Sequence, residues 1–225
     1  MRKAGSIFAC LLLWPVMAQA ALLAPSEVDA SRFLPPPPAA RSAAEKAEFR
    51  ELHAIAARSS KTLRAIAAHD AKDESPDIFN RAIGLDIATK PATFKLLQLV
   101  VEEEDVDSKL AKAFFHRPRP YSVDKKIKTC EPVKPGKAAN SYPSGHASLS
   151  FSMGVVLASL LPEKSQAILA RASEYAEHRL VCGVHFRSDI AAGQQFGTIL
   201  ALKLMQNPVF QAQMALARDE WAARP

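Results

Sequence analysis

The sequence predicts an all-α fold, a single domain built as a bundle of several helices. Apolar residues make up 48% of the 225-residue chain and recur at helical spacing. Helix-start signals, a small polar residue or a proline ahead of an apolar stripe, recur along the chain. Runs of alternating β-branched residues, the mark of strands, are absent. One core of substantial size can be buried at this length, so no second domain is required.

Residues 1–20 read as a secretory leader. Arg2 and Lys3 form the basic start, an apolar run extends from about Ile7 to Val16, and Ala18-Gln19-Ala20 supplies the small residues for cleavage after Ala20. The run falls short of the roughly 20 residues that a bilayer-spanning helix needs. Lipidation of Cys10 is disfavoured because few apolar residues precede it. Residues 21–41 form an N-terminal arm. Its run from Pro35 to Pro38 locks an extended polyproline stretch that cannot enter a helix. The arm is expected to lie over the domain or over a neighbouring subunit. Residues 42–225 make the helical domain.

Eight helices are predicted there, over 42–58, 60–70, 76–89, 91–115, 145–160, 163–178, 189–206 and 208–222. The first opens on a capping box, Ser42-Ala43-Ala44-Glu45, and carries Phe49, Leu52, Ile55 and Ala56 on one stripe. Ser75-Pro76 and Asn207-Pro208 pair a cap with a proline in the first turn, and Pro91 and Pro162 open two further helices. Ser188 is placed to cap the helix beginning at Asp189. Arg117 to Tyr142 breaks the regularity. It is rich in Pro, Lys and Gly, and a long irregular loop in a small domain is usually functional. No internal repeat is visible.

The formal net charge is +6, and removal of Arg2 and Lys3 with the leader lowers it to +4. No Lys/Arg block is dense enough for nucleic acid, although the balance favours anionic substrates. No later stretch approaches 18 consecutive apolar residues, so no membrane association is expected after leader cleavage. Only Cys130 and Cys182 remain in the mature chain, an even pair in an oxidising compartment, and they are predicted to be bridged. Two buried free thiols are the alternative. No Cys/His spacing resembles a zinc site. The acids Glu102-Glu103-Glu104-Asp105 read as a solvated helix face, and His53, His69 and His116 as surface or structural residues.

Three short motifs carry chemistry. Lys112 stands seven residues before Arg119-Pro120; Pro143-Ser144-Gly145-His146 leads into an apolar helix; Arg179, His185 and Asp189 follow at intervals of six and four. Each has a bland reading alone: charges favouring a helix C-terminus, a capped turn, a surface helix start with a capping acid. In the third, a carboxylate one helical turn from an imidazole fixes the tautomer and frees the other nitrogen as a nucleophile. Arg179 adds a planar fork of donors suited to phosphate oxygens.

Taken in order, K-x6-RP, PSGH and R-x5-H-x3-D resemble the phosphatidic acid phosphatase type 2 superfamily, which includes vanadium haloperoxidases. The leader, Leu34 to Pro38, Lys112 to Tyr121, Asn140 to His146 and Cys182 to His185 are more narrowly similar to class A bacterial non-specific acid phosphatases. The resemblance spans nearly the whole mature chain and implies that family's multi-helix bundle. It implies a periplasmic acid phosphatase acting on phosphomonoesters such as nucleotides, sugar phosphates and aryl phosphates, through a phosphohistidine and possessing some phosphotransferase capacity. His185 would be the nucleophile, Asp189 its orienting carboxylate and His146 the general acid. Lys112, Arg119, Ser144, Gly145 and Arg179 would bind phosphate. Three cations for one dianion leave no need for a metal or cofactor, and family members are commonly homodimers or higher oligomers.

One position departs from the pattern. His178 stands where the family usually has Ser before the third-motif arginine, which leaves the pH optimum open; it either adds a titrating group near the pocket or points outward, and no catalytic role is given to it. Two other functions remain at this point, a vanadate-dependent haloperoxidase and a non-catalytic periplasmic phosphate-binding protein. Bromide oxidation would mark the first, and anion affinity without turnover the second.

Overall fold

A computed structural model describes residues 21–133, 136 and 138–223; the expected leader, with Cys10, lies outside them. Among the described residues the regular structure is helical throughout, with no strand. Seven long helices make the bundle: α1 (Ala43–Arg58), α2 (Lys61–Asp70), α3 (Pro91–Phe115), α4 (Gly145–Leu160), α5 (Ser165–Val181), α6 (Arg187–Leu204) and α7 (Pro208–Ala222). No helix among them is long and apolar enough to cross a membrane.

The caps behave largely as their sequences dictate. Ser42 Oγ accepts the Glu45 N–H at 3.1 Å, although the Glu45 carboxylate reaches back to Arg41 N–H, one residue beyond the reciprocal partner of an ideal capping box. Ser60 and Asn207 accept first-turn N–H groups of α2 and α7. The expected helix over 76–89 is broken. Pro76–Phe79 and Ile87–Thr89 are single 3₁₀ turns around the short α-turn Asn80–Ile83, which ends at left-handed Gly84 with φ +76°. There Asn80 Oδ1 takes the Ile87 N–H at 2.9 Å, so side-chain bonding replaces the helical ladder. The expected helix over 163–178 begins at Ser165, after a 3₁₀ turn, and runs on to Val181, which puts Arg179 inside the helix.

Helix α4 is the core helix and packs on α6, α5 and α3, while α7 covers α3. Met153, Val156 and Leu157 of α4 are fully buried with Phe79, Leu96, Leu97, Ile168, Leu200 and Phe210. The α4–α6 approach is unusually close. A Cβ at Gly193 would lie 2.5 Å from the Ser144 carbonyl oxygen, and one at Gly197 would meet the Ser148 carbonyl more closely still. Glycine at these two positions of α6 therefore sets the distance between the starts of α4 and α6.

Helix α3 corrects the reading of its acidic run. Glu102 and Asp105 are exposed, but Glu103 and Glu104 are buried, as is Asp107 on the same inward face. Glu103 is used at once: its carboxylate accepts the N–H groups of Leu22 and Leu23, both at 2.8 Å. Residues of the N-terminal arm lie over the domain accordingly. Leu23, Val28, Ala30 and Leu34 are buried, and the Pro35 carbonyl accepts from Tyr142 Oη at 2.5 Å.

Candidate active site

The starts of α4 and α6 bring the second and third motifs together. Ser144 N–H donates to the Asp189 carbonyl at 3.0 Å, a main-chain link between them, and the peptide before Pro143 is cis. Ser144 is the N-cap of α4, with its Oγ facing the Ala147 N–H at 3.4 Å. Gly145 follows with Lys112 Nζ against it; a Cβ there would lie 2.6 Å from the ammonium. Glycine thus lets a charge from α3 rest on the first turn of α4, where the helix N-terminus also favours an anion.

His185 precedes α6 and is fully buried, with Nδ1 3.4 Å from Asp189 Oδ2. The carboxylate itself is held much more tightly. Arg117 Nη1 donates to Oδ1 at 2.6 Å, while Ser141 Oγ and the Phe186 N–H donate to Oδ2 at 2.6 and 2.7 Å. Asp189 rather than Ser188 is therefore the side-chain cap of α6, whose N-cap is Phe186. Ser188 instead gives both its N–H and its hydroxyl to Glu48 Oε1, and Glu48 Oε2 takes Arg117 Nη2 at 2.6 Å. Burial pushes the Asp189 carboxyl up and Arg117 opposes it most strongly. Both oxygens face only donors, so the ionised form fits the geometry. His185 is pushed well below the ordinary imidazole range, first by burial and then by Arg119, Arg179 and Lys112. That direction favours the neutral imidazole, and its Nδ1, with the Asp189 carboxylate 3.4 Å away, makes no hydrogen bond among the described residues.

His146, in the first turn of α4, is more open. Its Nε2 lies 3.3 Å from the Ala71 carbonyl, its Nδ1 lies 3.2 Å from the exposed Glu74 carboxylate, and its ring stacks on Tyr175 at 5.5 Å. Burial lowers its pKa well below the usual value, with Arg179 adding to the effect. His178 does not point outward. It is buried, with Nδ1 2.7 Å from Asp70 Oδ2, and Arg171 grips the same carboxylate at 2.8 and 2.9 Å.

The two motif arginines keep buried donors in hand. Arg119 gives Nη1 to the Val184 carbonyl at 3.2 Å, and Arg179 gives Nη2 to Glu131 at 2.6 Å. Among the described residues Arg119 Nε, Arg179 Nε and Arg179 Nη1 are buried without a partner. Orphaned guanidinium donors are costly unless an anion occupies the site, and here they gather around two imidazoles. No group of three or more His, Cys, Asp or Glu side chains among the described residues is placed to hold a metal ion.

Cys130 and Cys182 are bridged, with their Cα atoms 4.7 Å apart. The bridge ties the irregular loop to the end of α5, next to Glu131 and so next to Arg179. His53 is at the surface against Asp124, His69 is 80% exposed, and His116 caps α3 with a left-handed backbone. Sequence reasoning missed Arg117, Glu48, Ser141, Ala71, Glu74 and Tyr175. Only Arg117 carried a signal, as a second arginine two residues before Arg119 at the start of a functional loop.

Residues 93–211 match the PAP2 superfamily. The chain is 34% identical over 149 residues to a non-specific acid phosphatase of Providencia stuartii, covering 64% of this chain and 60% of that protein. It is 30% identical over 201 residues to a non-specific acid phosphatase of Salmonella typhi, covering 86% of this chain and 80% of the relative. An acid phosphatase of Zymomonas mobilis is 29% identical over 198 residues, 85% of this chain and 75% of its own length. Among solved structures, LpxE of Aquifex aeolicus aligns with a TM-score of 0.55 at 24% identity, over 69% of this chain and 93% of its own. A transmembrane PAP2-type phosphatidylglycerolphosphate phosphatase from Bacillus subtilis gives 0.55 at 16% identity, over 89% of this chain and 98% of its own, a likeness of fold.

Proposed function

The chain belongs to the PAP2 superfamily, and from that premise we propose that it is a metal-independent acid phosphatase acting on phosphomonoesters through a phosphohistidine. The observation that carries this reading is the gathering of Lys112, Arg119 and Arg179, with orphaned guanidinium donors, around two imidazoles whose other contacts differ. His185 Nε2 attacks phosphorus while the bond to the leaving oxygen breaks, and Asp189 steadies the developing imidazolium. Lys112, Arg119 and Arg179 neutralise the equatorial oxygens. Ser144 Oγ and the N-terminal turn of α4 add donors.

His146 gives its proton to the leaving oxygen. With Nε2 on the Ala71 carbonyl, the transferable proton is the one on Nδ1, which faces Glu74. Burial first, and then Arg179, His185 and Lys112, disfavour the charged form of His146. An arriving phosphate dianion cancels those cations and lets His146 carry its proton into the reaction. Water then attacks phosphorus as its bond to His185 Nε2 breaks, His146 takes up the water's proton, and phosphate is released. An alcohol in place of water gives phosphotransfer by the same route.

The leader-like residues 1–20 and the Cys130–Cys182 bridge support a periplasmic location. An exposed apolar stripe on α3, Val106, Leu110 and Phe114 at four-residue spacing, supports a homo-oligomer.

The test is p-nitrophenyl phosphate hydrolysis by the purified mature protein from acid to neutral pH, with EDTA and with vanadate. Turnover that survives chelation, falls with vanadate and leaves an alkali-stable phosphoenzyme lost in His185→Ala supports the reading. Anion binding without turnover returns the chain to a binding role, and bromide oxidation with vanadate and peroxide would make it a haloperoxidase.

A further inference from the structure

We propose that His178 and Asp70 are positioning residues for the proton donor His146, an assignment that rests on the phosphatase reading above. Helix α5 presents Arg171, Tyr175 and His178 along one face, and all three hold the turn that leaves α2. Arg171 binds Asp70 through both terminal nitrogens and donates Nε to the Ile78 carbonyl at 3.0 Å. Tyr175 Oη donates to the Asp73 carbonyl at 2.6 Å, and His178 Nδ1 meets Asp70 Oδ2 at 2.7 Å. Asp70 is held down to about 2 by the His178 and Arg171 bonds against burial, so it is a carboxylate at working pH and His178 Nδ1 carries the hydrogen between them.

The residue after Asp70 is Ala71, whose carbonyl receives His146 Nε2. That one bond decides which nitrogen of His146 faces the leaving group. Glu74, at the far end of the same turn, meets Nδ1, and Tyr175 stacks on the ring. Among the described residues, the hydrogen bond, the ion pair and the ring stack of His146 therefore all come from the turn or from the tyrosine that grips it. Fixing Asp70 fixes the Ala71 carbonyl, and the Ala71 carbonyl fixes the tautomer and tilt of His146. A serine at 178, the residue usual in the family that the sequence resembles, has a side chain too short to span the same gap to Asp70.

A proton donor matters most when the leaving oxygen is a poor leaving group. Phenyl phosphate and 2,4-dinitrophenyl phosphate differ in that respect and share nearly the same shape. In His178→Ala and Asp70→Asn, kcat/KM for phenyl phosphate should fall about tenfold, and for dinitrophenyl phosphate less than about threefold. His178→Asn, whose side-chain amide occupies the place of Nδ1 and can still donate to Asp70, should restore most of the phenyl phosphate rate. The ratio of the two rates does not depend on how much enzyme is folded, so loss of stability alone leaves it unchanged. Equal losses on both substrates, or an unaltered ratio, would overturn the assignment while leaving the phosphatase intact. If the wild-type protein hydrolyses neither ester, it is the phosphatase reading that fails.

Discussion

The two imidazoles stand at the starts of neighbouring helices and are held in opposite ways. His185 is buried beside a carboxylate that is pinned by a cation, a hydroxyl and a main-chain N–H. His146 rests on one carbonyl, one exposed acid and one aromatic face. Under the roles proposed above, the difference has a physical reason. A nucleophile attacking in line tolerates little angular error, which suits a ring buried beside a carboxylate that is itself pinned at three points. A proton donor must reach an oxygen that leaves and then meet water, so its surroundings stay open on one side.

The sharpest way to break the contrast is to delete each ring. His185→Ala should cost several orders of magnitude in turnover on every ester. His146→Ala should cost roughly 10²–10⁴-fold on esters with poor leaving groups and much less on activated ones. Steady-state kinetics on both substrate types, with circular dichroism to check the fold, would measure this, and a uniform loss in His146→Ala would remove the distinction between the two roles.

Arg117→Met tests the buried side through stability. It leaves Asp189 and Glu48 buried without their cation, a defect of about 3–5 kcal/mol. At roughly 2–4 °C per kcal/mol for a chain of this size, the melting temperature should drop by about 10 °C. A smaller change than about 3 °C would mean that the carboxylates find another partner.

Buried acids without a cation should behave in reverse. Burial lifts Asp107 to about 7, with Glu103 adding to the effect. That is above its unfolded value near 3.9, so its contribution to stability is complete below about pH 4 and lost as pH rises through about 7. Asp107→Asn should therefore leave the melting temperature unchanged in acid and raise it by a few degrees above neutrality. Asp70, depressed to about 2, has the opposite sign: its contribution is full above about pH 4 and is lost as pH falls toward 2. The smallest effect belongs to the open side, where Glu74→Gln should change kcat by a few-fold and the melting temperature hardly at all, since Glu74 is 62% exposed.

The sequence made the three motifs legible because each is set by local spacing within one turn or loop. Helices α1, α3 and α4 were readable to their ends for a similar reason, since caps and prolines punctuate them. What stayed hidden depends on distance along the chain. Arg117 meets Glu48 and Asp189 at separations of 69 and 72 residues. His178 meets Asp70 at 108, which no helical periodicity encodes. The acids of α3 misled because a charged run usually faces water, whereas here the arm uses one of them and the bundle encloses two more.

Leu22 lies near the start of the described chain, yet its carbonyl accepts from Asn207, 185 residues later, the residue that also caps α7. Its N–H is bonded to Glu103 on α3. The consequence concerns order in time. Contacts of such span close late in folding, after the loop entropy between them has been met by other contacts. The arm joins α3 to the cap of α7, so its full set of bonds closes only when both helices are in place.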